Sequence, residues 1–330
     1  MGKRNTNIDL VKSIACLGIL GLHCIGYVNY TLYYICTFAV PVFFMVNGYL
    51  MFAKSSVTLK YVSLKILSLL RVIVLWNLLI TIPVMILRHK FANPLEQILK
   101  SILQQGYLWH FWFFGTLIIL YLLLFPLHKL VNLPKCGLLI HTVLCVLLFL
   151  ICIGNTVYSF CSHYPMGITV PQSFRLWISL FYYLTGGLIS RIKDTATFRK
   201  IPTVPIALSV IILGIVCNYG QKHFGLYVYS LRAAELFYDE LTVMIWCLCI
   251  FILLLKLRIS DRFEKFITGF SKLSLGVFIV HPLFLKASEA IFVPKTTPQA
   301  IALWCIITIL SIASSFVISK IPYVKKMIEL

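Results

Sequence analysis

The sequence predicts an all-α protein that crosses a membrane as a bundle of about ten helices, with both termini in the cytoplasm. Its 330 residues are 60% hydrophobic and only 12% charged, a composition that excludes an ordinary water-soluble surface. Apolar runs of about twenty residues, the length that crosses the hydrocarbon core as a helix, recur between short polar connections. These runs lack the alternation of barrel strands, so the spans are predicted to be helical.

Ten spans can be placed along the chain. They are predicted at residues 8–28, 33–53, 66–87, 109–127, 137–154, 175–190, 203–219, 238–255, 269–289 and 299–319. In this arrangement 18 Lys and Arg residues lie inside, 8 lie outside and 3 lie within spans, so the positive-inside rule places both termini in the cytoplasm. No connection is long enough for a soluble domain, and residues 1–330 are predicted to form a single transmembrane domain.

The formal net charge of +19 arises from 29 Lys and Arg residues against 10 Asp and Glu residues. In a soluble protein such an excess suggests nucleic-acid binding, but short basic loops between many spans produce it equally well. We therefore expect the lipid bilayer as a partner and no nucleic acid. Most of the 11 cysteines lie singly in apolar runs, and no Cys/His spacing indicates zinc. No metal site is predicted.

The first span carries three ionisable residues, which are costly in lipid and usually functional. Asp9 and Lys12 are neighbours at i,i+3, and His23 follows Lys12 by eleven residues, on nearly the same helix face. The rise between Lys12 and His23 is about 16 Å. A cation at the inner rim can bind the phosphates of an acyl-CoA, and a deeper histidine can deprotonate an attacking hydroxyl. A lysine that extends to the interface and a hydrogen-bonded core histidine explain the pattern equally well.

Further candidates lie on the inner side and in the second span. Lys60, Lys65 and Arg71 face the inner side together with Lys12 and could bind nucleotide phosphates, although ordinary positive-inside loops have the same pattern. Asn47 and Gly48 interrupt the apolar second span and could widen a cavity beside the first helix. Close helix packing is the more frequent reason for such residues.

The stretch YLWHFWFF begins the fourth span at the outer boundary. His110 and Trp112 in this stretch could position an acceptor molecule. An aromatic belt with a histidine that touches water is the simpler interpretation. The outer residues Glu235, Asp239 and Glu240 are more typical of a solvated loop than of a sugar site.

The ninth span contains SLGVFIVHP, with His281 just before a proline that is expected to kink the helix. His281 is predicted at a depth similar to that of His23. It could relay a proton or orient the acceptor, and a structural hydrogen bond to a neighbouring helix is at least as frequent a role for such a histidine.

Four segments, taken in chain order, resemble the acyltransferase 3 family of bacterial membrane carbohydrate O-acyltransferases. They are IDLVKSIA with His23, VPVFFMVNGY, HFWFF with Tyr121 and Pro126, and SLGVFIVHP. The resemblance extends over nearly the whole chain. It implies a multi-pass enzyme of the bacterial cytoplasmic membrane that moves an acyl group, most simply acetyl, from acyl-CoA to a hydroxyl of a cell-surface or lipid-linked glycan.

The family pattern of a basic residue followed by a histidine maps onto Lys12 and His23, and it implies that His23 is catalytic. Lysine stands here where the family usually has arginine, which keeps the charge but loses the planar fork. The basic pair that follows the second span in the family is partly reproduced by Lys65 and Arg71. Asn47 occupies a position where the family often has serine.

The expected mechanism has His23 as the general base on the acceptor hydroxyl, with Asp9 orienting Lys12. Lys12, Lys65 and Arg71 would bind the donor, and the acceptor would contact Asn47, His110, Trp112 and His281. No permanently bound cofactor is expected, since acyl-CoA is a substrate. A covalent acyl-enzyme, a polysaccharide or glycolipid exporter and a non-catalytic partner in glycan assembly remain alternatives. The sequence leaves open the acyl group, the sugar, a hydroxyl or amine acceptor, and the oligomeric state.

Overall fold

The computed structural model of the protein describes residues 4–26, 28–89 and 91–329, without the side chains of residues 87 and 88. It is 80% helical, and the described residues contain no strand. Within this part of the chain, eight helical segments are long and apolar enough to cross a membrane. The predicted class, an all-helical multi-pass membrane protein, is confirmed.

The helices are numbered in chain order. They are α1 (Thr6–Ile25), α2 (Tyr30–Ile35), α3 (Ala39–Phe52), α4 (Leu59–Arg88), α5 (Pro94–Ile102), α6 (Trp112–Val131), α7 (Gly137–Ser162), α8 (Leu176–Ile192), α9 (Ala196–Lys200), α10 (Thr203–His223), α11 (Leu241–Lys256), α12 (Asp261–Glu289) and α13 (Thr297–Lys320). A short 3₁₀ turn joins α2 to α3, so that Tyr30–Phe52 forms one membrane-length segment.

Each predicted span coincides with a helical segment whose ends differ from the prediction by up to eight or nine residues. The predicted spans at 175–190 and 238–255 correspond to α8 and α11, which have only 17 and 16 residues. The count of ten spans and the cytoplasmic location of the termini therefore stay predictions. The sequence analysis missed α5 in the connection at 88–108, because this helix is too short and too polar to resemble a span.

Helix α1 lies at the centre of the bundle, where it packs against α3, α11, α12 and α13. Its residues Val11, Ala15 and Leu20 are fully buried. By contrast, only 6% of the most apolar window of the α10 segment is buried, which leaves that segment at the periphery. A central helix is shielded from lipid by its neighbours, so it can carry ionisable side chains that a peripheral helix could not.

Helices α3 and α8 cross in direct backbone contact. A Cβ atom on Gly48 would lie 1.7 Å from the carbonyl oxygen of Tyr183, and one on Gly186 would lie 2.0 Å from that of Met45. Only glycine permits such an approach, because any side chain would overlap the facing backbone. The interruption of the second span at Gly48 is therefore a packing feature, and the prediction that it widens a cavity beside α1 is wrong.

The bundle has two ends, which we call the N-terminal face and the opposite face. Asn5, Lys193 and Lys256 line a pocket on the N-terminal face. Arg232 and Glu289 line a larger cavity at the opposite face. The positive-inside rule predicts that the N-terminal face is cytoplasmic.

Candidate active site

A cavity of about 660 Å³ extends from the opposite face into the bundle, and His23 forms part of its wall. His23 lies in the last turn of α1, so the end of the central helix delivers this ring to the cavity. The aromatic residues Trp109 and Trp112 line the same space. The cavity therefore connects the first-span histidine with the opposite face.

Three histidines from three separate parts of the chain meet beside this cavity, and we call them the histidine cluster: His23, His110 and His281. The ring centroids of His23 and His281 are 5.2 Å apart and the rings are nearly parallel. The centroids of His110 and His281 are 5.7 Å apart. The rings of Trp109 and His23 are nearly perpendicular, and their centroids are 4.8 Å apart. Residues that the sequence marked separately thus form one group.

His281 is held by a carbonyl group that the neighbouring proline sets free. Pro282 has no N–H and leaves the carbonyl of Phe278 without its helical donor. The Nδ1 atom of His281 lies 2.7 Å from this carbonyl oxygen and donates the hydrogen bond that Pro282 cannot donate. Because a carbonyl only accepts, Nδ1 must carry the proton and Nε2 is an acceptor, which is buried without a partner among the described residues. His281 thus has a structural hydrogen bond, but the prediction of a partner on a neighbouring helix is wrong, because the accepting carbonyl belongs to α12 itself.

His23 is the member of the cluster that an entering molecule can reach. His110 and His281 are 1% and 0% exposed, whereas His23 is partly exposed. Among the described residues His23 has no hydrogen-bond partner, and neither nitrogen of His110 has one of standard geometry. The interpretation of His110 as a belt residue that touches water is wrong, because α12 and the aromatic side chains around it cover the ring.

Lys12 and His23 lie on one continuous helix, as their spacing requires. Lys12 is largely buried, and it makes no hydrogen bond or ion pair within the described part of the chain. The prediction that Asp9 orients Lys12 is wrong. The Asp9 carboxylate is bound by Arg4, at 2.7 Å for one of two bonds, and by the hydroxyl of Ser271, also at 2.7 Å. The planar guanidinium group matches a carboxylate better than an ammonium group does, so Arg4 binds Asp9. Lys12 is left without an ion pair among the described residues.

The two basic residues of α4 have different surroundings. Lys65 lies close enough to Lys12 for their charges to interact. Arg71 donates to the backbone carbonyl of Glu329 at 3.1 Å, and the indole of Trp76 donates to that of Met327 at 2.9 Å. The C-terminal segment therefore packs along α4 at Arg71, while Lys65 and Lys12 form the pair of neighbouring cations.

The predicted acceptor residues divide in a similar way. Trp112 lines the cavity, but Asn47 is not among the residues that form its wall. The side-chain amide of Asn47 donates to the carbonyl of Phe43 at 3.0 Å and accepts from the hydroxyl of Tyr121 at 3.4 Å. Asn47 thus joins α3 to α6, and its contact with an acceptor stays a prediction.

Several cavity residues were missed by the sequence analysis. Trp109 contacts His23, Gln104 donates to a carboxylate oxygen of Glu235 at 3.3 Å, and Gln172 is buried with its side-chain oxygen unpaired among the described residues. Gln104 and Gln172 lie in connections between spans, and Trp109 lies at the very beginning of the fourth span. Connections have no hydrophobic period, so no sequence signal distinguishes them from ordinary polar loop residues.

Two outer acids just before α11 are largely buried, and the prediction of a solvated loop is wrong for them. Burial raises the pKa of Asp239 to about 6, although the indole of Trp177 donates to its carboxylate at 3.1 Å. Burial and the adjacent Asp239 charge raise the pKa of Glu240 to about 8. These carboxyl groups therefore hold protons in the folded protein at pH values where an unfolded chain releases them.

Glu240 is expected to make the protein less stable as the pH rises from about 5 to about 8. In this window the folded state keeps a proton that the unfolded state, with an ordinary pKa of 4.5, releases, so each pH step favours unfolding. Glu240→Gln should flatten the fall of the apparent melting temperature in detergent between about pH 6.5 and pH 8. The exposed Glu96→Gln variant is the control and should keep the wild-type slope. An unchanged slope in Glu240→Gln would contradict this assignment.

The fold and the site together define a multi-pass membrane protein with a cavity that reaches a histidine cluster on its central helix. A family model described as an acyltransferase domain, Acyl_transf_3, matches residues 5–320, and the chain belongs to this family. The predicted family is thereby confirmed, and the protein is a membrane acyltransferase. No curated protein and no solved structure matches the chain significantly.

Proposed function

We propose that this protein is an O-acyltransferase of the bacterial cytoplasmic membrane that moves an acyl group, most simply acetyl, from acyl-CoA to a hydroxyl of a cell-surface or lipid-linked glycan. The position of His23 carries the proposal. Its ring has no hydrogen-bond partner among the described residues, lines the cavity of the opposite face and lies on the same helix as the unpaired Lys12. This arrangement suits a donor from one side of the membrane and an acceptor from the other.

The donor binds from the N-terminal face, which the positive-inside rule assigns to the cytoplasm. Lys12 and Lys65 place two neighbouring cations there, and Lys12 forms no ion pair with an acid among the described residues. Charge-assisted bonds to phosphate oxygens would satisfy the ammonium group of Lys12. The axial rise of about 16 Å from Lys12 to His23 gives the acyl-pantetheine arm a path along α1 towards the histidine cluster.

His23 acts as a general base in a direct transfer. One ring nitrogen takes the proton of the acceptor hydroxyl while the hydroxyl oxygen attacks the thioester carbonyl carbon. The new C–O bond forms, the C–S bond breaks, and the proton on His23 passes to the sulfur, so that CoA leaves as a thiol. The Nδ1–H of His281 donates to a carbonyl, and with Nε2 unprotonated His281 adds no positive charge that would oppose the transient charge on His23.

The acceptor enters through the cavity of the opposite face, where polar and aromatic side chains form the wall. A lipid-linked or nascent surface glycan meets the protein on that side. Lipid surrounds the bundle, so the acceptor's lipid anchor can stay in the bilayer while its sugar occupies the cavity.

Purified protein in nanodiscs is expected to transfer radiolabelled acetyl from acetyl-CoA to a membrane glycolipid extract. Label should appear in the glycolipid only when acetyl-CoA is present. Glycolipid movement without any dependence on CoA would instead indicate an exporter, and absence of both transfer and movement would indicate a non-catalytic partner in glycan assembly. Label that stays on the protein after denaturation would contradict the single-step mechanism.

A further inference from the structure

We infer that Gln172 and Glu235 form a subsite in the lining of the cavity that binds hydroxyl groups of an uncharged sugar ring. This subsite rests on the proposed function and deepens it, because it names the side chains that select the acceptor. The sequence analysis did not select Gln172 and favoured a solvated loop over a sugar site for Glu235. Among the described residues, neither side chain is hydrogen-bonded to the histidine cluster.

Gln172 is a buried hydrogen-bond acceptor without a donor. Its side chain lines the cavity and is 5% exposed, and its Oε1 atom has no partner among the described residues. The adjacent Ser173 fixes the backbone, since its hydroxyl donates to the carbonyl groups of Ile102 and Trp112. A buried amide oxygen that lacks a donor is unfavourable, so a rigidly placed one is suited to receive a donor from a ligand.

Glu235 supplies the second acceptor. One oxygen of its carboxylate receives a bond of 3.3 Å from Gln104, and the other receives none from the described residues. The backbone of Glu235 is fixed, because the buried guanidinium of Arg175 donates to its carbonyl oxygen at 3.1 Å. The carboxylate is therefore held at the cavity with an acceptor position available.

Two acceptors that line the same cavity suit a ligand with several donors. Adjacent hydroxyl groups of a sugar meet this need, and the aromatic rings of Trp109 and Trp112 in the same cavity offer flat apolar surfaces for the C–H faces of a sugar ring.

The charges at the cavity favour an uncharged sugar. The lining residues include two cations, Arg232 and Lys286, and two acids, Glu235 and Glu289. With its histidines neutral, the lining of the cavity therefore has no net formal charge. Arg232 is in addition held by Tyr30, through its hydroxyl at 2.6 Å and its ring at 4.9 Å. A phosphate or carboxylate group placed on this subsite would face the Glu235 carboxylate and be repelled.

Binding can be measured without turnover, because Trp109 and Trp112 line the cavity and report its occupancy by fluorescence. Wild-type protein in nanodiscs is titrated with methyl glycosides of glucose, galactose and N-acetylglucosamine, and with inorganic phosphate as the anionic probe. At least one glycoside should change the fluorescence saturably, and phosphate should not. Gln172→Leu should weaken binding of that glycoside about tenfold, since the buried oxygen that accepts from a sugar hydroxyl is lost.

Gln172→Glu keeps an accepting oxygen and should bind the glycoside within about threefold of wild type. The exposed Gln105→Leu variant is the matched control and should bind like wild type. No saturable response to any glycoside, or equal affinity in Gln172→Leu, would overturn the subsite even if acyl transfer occurs. Glycoside binding without acyl transfer would keep the subsite and reject the proposed function. Preferential binding of phosphate over every glycoside would also overturn the subsite.

Discussion

His23→Ala is expected to lower the rate of acyl transfer by about a hundredfold to ten thousandfold, the range that a general base contributes. The acceptor hydroxyl would lose the group that removes its proton, while the cavity and the donor cations stay in place. The measurement is kcat for transfer of radiolabelled acetyl to the glycolipid extract, together with acetyl-CoA binding. We expect binding of acetyl-CoA to be retained, because Lys12 lies about 16 Å from His23 along α1.

The matched control is His89→Asn, a change at an exposed histidine at the end of α4 with a left-handed backbone that asparagine tolerates. This variant should transfer acetyl at the wild-type rate. Equal melting temperatures of wild type and His23→Ala would show that the loss is not one of folding. Full transfer activity in His23→Ala would contradict the mechanism and favour the exporter or the non-catalytic partner.

Lys12→Ala is expected to raise KM for acetyl-CoA by about tenfold to a hundredfold, the usual effect of losing a hydrogen bond to a charged group. The effect on kcat should be smaller, because Lys12 is remote from the reacting atoms. Lys12→Arg should keep most of the affinity, since it preserves the cation and matches the residue that is usual in the family. Initial rates at varied acetyl-CoA concentration and saturating glycolipid separate the two parameters.

Lys265→Ala, at an exposed lysine near the beginning of α12, is the control for a general loss of positive charge. It should leave KM for acetyl-CoA near the wild-type value. An unchanged KM in Lys12→Ala would mean that Lys12 only extends to the membrane interface. In that case the donor phosphates would have to be bound elsewhere on the N-terminal face.

The sequence by itself determined the class of the protein and much of its central helix. In lipid a chain can satisfy its backbone groups within each segment only as a helix, so long apolar runs predict helices with little competition from tertiary context. The same regularity places Lys12 and His23 on one face of α1, because a single continuous helix fixes their separation. The four motifs, in order, identified the family that the match over residues 5–320 confirms.

Only the tertiary structure decided which polar groups meet. The contact of His281 with His23 depends on how α12 packs against α1, and no period within either helix encodes that distance. Both Arg4 and Lys12 are close to Asp9 in the sequence. Arg4 forms the ion pair because its guanidinium group is planar and can bind both carboxylate oxygens. Gln172 reaches the cavity from a loop, where no hydrophobic repeat guides prediction. Helix formation in a membrane is a local requirement, whereas the pairing of buried polar groups is settled between segments that are distant in the chain.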